Sequence, residues 1–341
     1  MTHGKIEFGY LAINEVHPPQ KILGLVVDAE RYGFDTAWLS DHFHPWSNAG
    51  SNCNFSWTIM AAAEERTKKL RIGPGVTVPG ARYNPAVLAQ ASATLGATYP
   101  SRFFLGIGSG EPVNEVAVGG DWPRAGKRLE KFDEALHVIR LLFDRKFVDF
   151  SGEHFKLSSA NLYTKPPQPV PMIVSTSGPK SAKIAGKWGD GIILPTGTEA
   201  PASQLEDVIL PAVREGAKET GRDAEKMHVA IHISVAYDED EDKILSTREY
   251  WNHTVIPNLM DEVVSDPRIN EAKGKLIDVS MFKTHWIVGT TPEEHVKALE
   301  PFIKLGIDEL VILSTSPDEE KFLRVYGTKV LPHLRELRRS S

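Results

Sequence analysis

Cysteine is nearly missing from this 341-residue chain: Cys53 stands alone. One thiol excludes an internal disulfide and any cysteine-based metal cluster. Long apolar runs are missing too, with nothing near the roughly 20 residues of a membrane-spanning helix. Positive charge is in deficit, since 39 Lys and Arg face 45 Asp and Glu for a formal charge of −6. A nucleic-acid binder needs clustered cations, so neither nucleic acid nor membrane is an expected partner. The opening "MTHGKIEFGY" has no basic segment followed by an apolar one. No secretory signal is therefore expected, and the protein reads as soluble and cytoplasmic.

Several motifs are also lacking. "GIGSGE" fails the dinucleotide fingerprint because Glu111 occupies its last glycine position. There is no Walker A loop and no G-x-S-x-G elbow, which disfavours P-loop and α/β-hydrolase chemistry. His42 and His44 lie two apart without H-E-x-x-H or similar spacing, so no metal is expected.

What is present is alternation. Short β-rich runs are predicted at Ile6–Tyr10, Ala37–Ser40, Arg71–Thr77, Arg102–Gly108, Met172–Ser175, Gly191–Leu194, His228–Val235 and Glu309–Ser314. Amphipathic helical stretches separate them, which implies βαβ crossovers and a parallel sheet. Runs such as "LVILST" and "DGIILP" are apolar on both faces, as strands covered by helices must be. About eight such units fit a (β/α)8 TIM barrel with insertions better than an open sheet. A single domain spanning 1–341 is expected, with insertions near 144–171 and 251–282. "TPEE" at Thr291 and "SPDE" at Ser316 read as helix caps without functional weight.

Barrel active sites lie at the carboxyl ends of the strands. "SDHFHPW" then leaves the second strand and "GSGEPVNE" the fourth, bringing Asp41, His42, Trp46, Ser109, Gly110, Glu111 and Asn114 to one face. A facing His and Glu suit acid–base work on a hydroxyl, because both can be tuned towards neutral pH. Plainer readings stand beside these. His44 reads as a solvated loop histidine, and Glu111 as a carboxylate at a helix start. "STSGPKSAKIAG" from Ser175 fits either an anion cradle or an ordinary cap.

Together, "SDHFHPW", "RYNPAVLAQASATL", "GIGSGEPVNE" and "LPAVREGA" closely resemble a group of coenzyme F420 (deazaflavin)-dependent oxidoreductases. This is the glucose-6-phosphate dehydrogenase-like group of the bacterial luciferase-like superfamily. The resemblance runs over nearly the whole chain, in order. It implies a (β/α)8 barrel, coenzyme F420 and hydride transfer to the deazaflavin C5. It implies that His42 is the base facing the substrate hydroxyl, that Trp46 lines the reacting site, and that Glu111 is the second acid–base group. Asp41, Ser109, Gly110 and Asn114 match positions holding the deazaflavin and its ribityl chain. Ser177, Gly178, Lys180 and Ser181 match the segment for the cofactor phosphate and tail. Gly75 and Val76 match a pair joined by a non-prolyl cis peptide beneath the ring, and Val78 replaces a threonine that touches the cofactor. A homodimer is implied by the same resemblance.

On the substrate side the resemblance points to Glu15, Pro195, Thr198, Asp261 and His285. The sugar-phosphate enzymes clasp their substrate's phosphate with a threonine, two lysines and an arginine, where this chain has Pro195, Thr198, Asp261 and His285. Losing those partners forfeits charge-assisted hydrogen bonds worth roughly 1.5–3 kcal/mol each. Lys283 lies two residues from the lost arginine. The pattern, with "LYTKP" at Leu162 and the second histidine of "DHFHPW", is more similar to the secondary alcohol dehydrogenases of the group. Their substrates are small neutral alcohols and ketones. The alternatives are a sugar-phosphate dehydrogenase, an FMN-dependent monooxygenase and a non-catalytic deazaflavin-binding protein.

Overall fold

The computed structural model of the protein describes residues 5–48, 51–256 and 262–340. Eight parallel strands form the wall of a barrel: β1 (Glu7–Ala12), β2 (Thr36–Leu39), β3 (Arg71–Pro74), β4 (Leu105–Ile107), β7 (Met172–Ser175), β8 (Gly191–Pro195), β9 (His228–Tyr237) and β11 (Glu309–Ser314). The remaining strands are β5 (Val148–Ser151), β6 (Lys156–Ala160) and β10 (Ile287–Gly289). Around the wall the order is β3-β2-β1-β11-β9-β8-β7-β4, with β10 added to β9.

Closure between β3 and β4 rests on isolated parallel bridges, Ile72 to Phe103 and Thr77 to Ile107. The strand predicted over Arg71–Thr77 accordingly ends at Pro74, which has no N–H to donate. The Gly75–Val76 peptide that follows is cis, as the resemblance implied. The two edges approach so closely that only glycine fits at the seam. A Cβ on Gly73 would lie 2.3 Å from the Phe104 carbonyl oxygen, and one on Gly106 2.0 Å from that of Pro74.

Strand alternation sorts the side chains into two layers. Leu11, Trp38, Phe104, Ile173, Ile193 and Val311 fill the lumen. Phe8, Tyr10, Leu39, Ile72, Leu105 and Ile312 point outward beneath the helices. The lumen is a packed core, with the Trp38 and Phe104 rings 4.4 Å apart.

The expected insertion near 144–171 contains the antiparallel β5–β6 hairpin. The late excursion is a chain of short helices, at Arg248–Trp251, Asn252–Val255, Pro267–Gly274 and Val279–His285. It leads into β10, which is too short, at three residues, for the apolar pattern to announce. Thr291 and Glu294 form the expected capping box. "SPDE" is punctuated differently: Asp318 caps the helix Glu319–Val325, while Ser316 accepts the Tyr237 N–H.

At the amino ends of the strands, Glu309 accepts hydrogen bonds from Thr36 and Trp38 and pairs with His228 at 2.9 Å. Glu7 stands beside them and is paired with Arg71. Glu7, His228 and Glu309 have metal-ligand spacing, but Arg71 and the internal bonds already neutralise and satisfy them. The cluster is an ion-pair network that closes the barrel floor.

Candidate active site

The loops leaving β2 and β4 meet across the opposite mouth. Asn114 joins them: its Oδ1 accepts the backbone N–H groups of Phe43 (2.8 Å) and His44 (3.3 Å), and its Nδ2 donates to Glu111 at 3.2 Å. This brace sets His42 Nε2 3.3 Å from Glu111 Oε2. The other imidazole nitrogen, Nδ1, donates to the His44 carbonyl at 3.3 Å and lies 3.9 Å from Glu15 Oε1. Ser40 donates to Glu15 Oε2 at 2.7 Å, and Oε1 is buried with no hydrogen-bond partner among the described residues.

Burial works against the charged His42, yet the Glu15 and Glu111 carboxylates outweigh it and hold its pKa above the ordinary histidine value. Burial raises that of Glu111, against the pull of His42. The pair is therefore suited to holding one proton between an imidazole and a carboxyl group near neutral pH.

Asp41 is also tied into the chain itself. Its carboxylate accepts from Thr77 (2.6 Å), Arg82 (3.1 Å) and Tyr83 (3.1 Å). Arg82 donates also to the Asp41 carbonyl at 2.5 Å and lies 3.9 Å from Glu115. This buried knot locks the base of the His42 loop to the segment after the cis peptide. Arg82, Tyr83 and Glu115 stand inside motifs that carry the resemblance, but nothing local in the sequence paired them, or Thr77, with Asp41.

Beyond the cis peptide, Val76 packs so closely on Gly108 that a Cβ there would lie 2.7 Å from its methyl group. Gly110 has φ +97°, a left-handed conformation, and a Cβ there would crowd Val78 at 3.0 Å and Trp122 at 3.4 Å. Val78 and Ser109 line a cavity of about 310 Å³ with Trp122, Lys127 and Arg128. Further round the mouth, nothing lies within 4 Å of a Cβ on Gly178. Ser181 binds the Thr176 hydroxyl at 2.7 Å, and Lys180 is exposed at the start of the helix Pro179–Trp188. Open space, a glycine and a cation at a helix start suit an anion.

A second cavity, of about 510 Å³, is lined by Pro195, Thr196, Glu199, Ser234, His285 and Trp286 among others. It unites two of the expected substrate positions, Pro195 and His285. Thr198 is held beside them through its bond to the Thr284 carbonyl at 3.2 Å. Asp261 lies outside the described residues. Lys283 is exposed and paired with Glu241.

His253 was not foreseen. It stacks on Trp46 with ring centroids 5.4 Å apart and planes 10° apart, while His42 packs against Trp46 at 5.7 Å.

The sequence matches the family model for luciferase-like monooxygenases over residues 6–309. The chain belongs to that family. Among curated relatives, an F420-dependent glucose-6-phosphate dehydrogenase of Mycolicibacterium fortuitum is 37% identical over 98% of this chain and 99% of its own length. One of the same description from Nakamurella multipartita is 34% identical over 99% of both. Among solved structures, an F420-dependent secondary alcohol dehydrogenase in complex with an F420-acetone adduct superposes with TM-score 0.90. It is 37% identical and covers 97% of this chain, which covers 99% of it. A coenzyme F420-dependent tetrahydromethanopterin reductase from Methanopyrus kandleri, at 24% identity and TM-score 0.77, shares the fold. The relatives at 34–37% identity thus divide between a sugar phosphate and a secondary alcohol as named substrate.

Proposed function

We propose that the protein is a coenzyme F420-dependent dehydrogenase that interconverts a neutral secondary alcohol and its ketone. The observation that carries the substrate class is the cavity around Pro195 and His285. Among the described residues Glu199 is its one formally charged lining residue, and it repels an anion. Lys283, two residues from the lost arginine, is turned to Glu241.

The site fits the cofactor. Val76 packed on Gly108, the left-handed Gly110 beside Val78 and Trp122, and the open helix start at Gly178 offer small residues along the mouth and an anion cradle. Ser109, Val76 and Val78 would border the ring, and Ser177, Gly178, Lys180 and Ser181 the phosphate end. Bound there, a deazaflavin supplies the acceptor for a hydride.

The chain's own residues manage the proton. His42 Nε2 takes the proton of the alcohol hydroxyl, and Glu15 and Glu111 steady the resulting imidazolium. Asn114 and the His44 carbonyl fix the ring's orientation. Trp46 walls the site and offers its π face to the charge on His42.

Anaerobic absorbance of the F420-loaded protein tests the reading. Bleaching with isopropanol and none with glucose 6-phosphate is expected. Bleaching with glucose 6-phosphate alone overturns the substrate class. Binding of FMN in preference to F420, with oxygen uptake, would move the protein to the monooxygenase branch.

A further inference from the structure

The imidazole of His253 belongs to the late excursion, in the turn Asn252–Val255. That turn is anchored on several sides. Trp251 and Val255 are buried with Phe282 and Trp286, and the Trp251 and Trp286 rings meet edge to face at 5.8 Å. The Tyr250 hydroxyl donates to the Glu15 carbonyl at 3.4 Å, tying the excursion to the end of β1. His253 itself is 2% exposed. Its Nδ1–H donates to the Tyr250 carbonyl at 2.9 Å, which fixes both tautomer and ring plane. Its Nε2 has no partner among the described residues.

Trp46 is held differently. It sits on the loop leaving β2, half-buried, and two imidazoles pack against it: His42 tilted at 57° and His253 nearly parallel. A loop indole has two torsions to lose on being fixed. A flat, fixed, buried ring beside it removes that freedom before substrate arrives.

We propose that His253 is a positioning residue, which holds the indole of Trp46 in place against His42 and so shapes the reacting site from a part of the chain remote in sequence. This rests on the reading of His42 and Trp46 as parts of an oxidoreductase site. The neutrality of His253 matters here. Burial pushes its pKa down to about 3, with the nearby His42 acting in the same direction. An uncharged ring leaves the π density of Trp46 available to the positive charge that His42 acquires. A cation stacked on the indole in its place would draw that density away.

The test uses the full-length protein with bound F420 and isopropanol, comparing His253→Ala, His253→Phe, Trp46→Phe and the Trp46→Phe/His253→Ala pair. His253→Ala is expected to lower kcat by about ten- to a hundredfold, as a small misplacement in a reacting site does, with F420 affinity unchanged. His253→Phe keeps a flat ring and should recover most of the loss. The double variant should be no slower than Trp46→Phe alone. Full kcat in a folded His253→Ala protein, a Phe variant as slow as the Ala variant, or additive losses would each overturn the proposal. Should His253→Ala not fold, His253→Asn, which keeps a side chain able to bond the Tyr250 carbonyl but has no ring, takes its place with the same expectations. Near-UV circular dichroism separates this inference from the assignment of activity. The band lost in Trp46→Phe should also be lost in His253→Ala and kept in His253→Phe, whatever the wild-type protein oxidises. Its persistence in His253→Ala would show that Trp46 does not depend on His253.

Discussion

His42 Nε2 and Glu111 Oε2 face each other at 3.3 Å across two loops that leave different strands of the barrel. Neither group needs the other for folding in any obvious way, since both sit at the rim of the mouth. Their approach is a property of the site.

Removing the base should be severe. His42→Ala is expected to lower kcat by about 10²–10⁴-fold, the usual share of a general base, while F420 affinity stays within a fewfold of wild type. Stopped-flow reduction and a fluorescence titration of F420 measure the two separately. A kcat near wild type would remove His42 from the mechanism.

The pH profile carries a sign. Burial depresses the charged imidazole, but Glu15 and Glu111 raise the His42 pKa above 6.5 overall. Alcohol oxidation needs the proton-free ring, so kcat/KM should rise with pH through a midpoint above 6.5. Glu111→Gln deletes one of the raising charges, and the midpoint should move to lower pH. A midpoint that stays put would show that another group titrates.

Asp41 and Arg82 make a stability prediction. Their side chains are 0% and 7% exposed. Asp41→Asn leaves a buried guanidinium with half its compensation, and should destabilise the fold by about 3–5 kcal/mol in urea unfolding. A loss under about 1 kcal/mol would mean that Glu115 or water takes over the pairing.

The barrel floor should make stability fall on the alkaline side. Burial lowers the His228 pKa, but its bond to Glu309 and the surrounding carboxylates raise it above 6.5 on balance. The stabilisation is complete below the unfolded-state pKa and disappears as pH rises through the folded one. Glu309 is shifted down against its own burial by His228, Thr36 and Trp38, so its contribution is lost in acid instead. Thermal melts between pH 5.5 and 9 should show the alkaline loss in wild type and a flatter curve in His228→Gln. Parallel curves would exclude His228 as the source.

Cys53 should be a poor nucleophile. Burial and the Glu15 charge push its thiol up to about 12. At pH 8 the native protein should react with iodoacetamide on the order of a hundredfold more slowly than the urea-unfolded chain. Comparable rates would place the thiol in water.

Much of the fold was readable in the chain. All eight wall strands lie within a few residues of the apolar runs that announced them, because a strand covered on both faces must be apolar throughout. Strand β10 was not readable, since its apolar run is only Trp286–Val288, whereas β4, equally short, lies in the longer run around Phe103–Ile107. The ends of β3 and β4 were overdrawn, because Pro74 and the cis peptide break the ladder where the composition still looks like a strand. At the site, His42, Trp46 and Glu111 stood out through dense motifs at two strand ends. Asp41 stood out for the same reason, and the bonds its carboxylate accepts from Thr77, Arg82 and Tyr83 were added by the structure.

By itself, then, the sequence determined the barrel and the two motif loops, because periodicity and motif density are local properties of a chain. Only the tertiary structure decided what those loops meet. The stack of His253 on Trp46, the Arg82 knot beneath the His42 loop and the turning of Lys283 to Glu241 are contacts between segments far apart in the chain. No local pattern encodes such pairings, since each arises only when the closed barrel brings remote loops to one mouth.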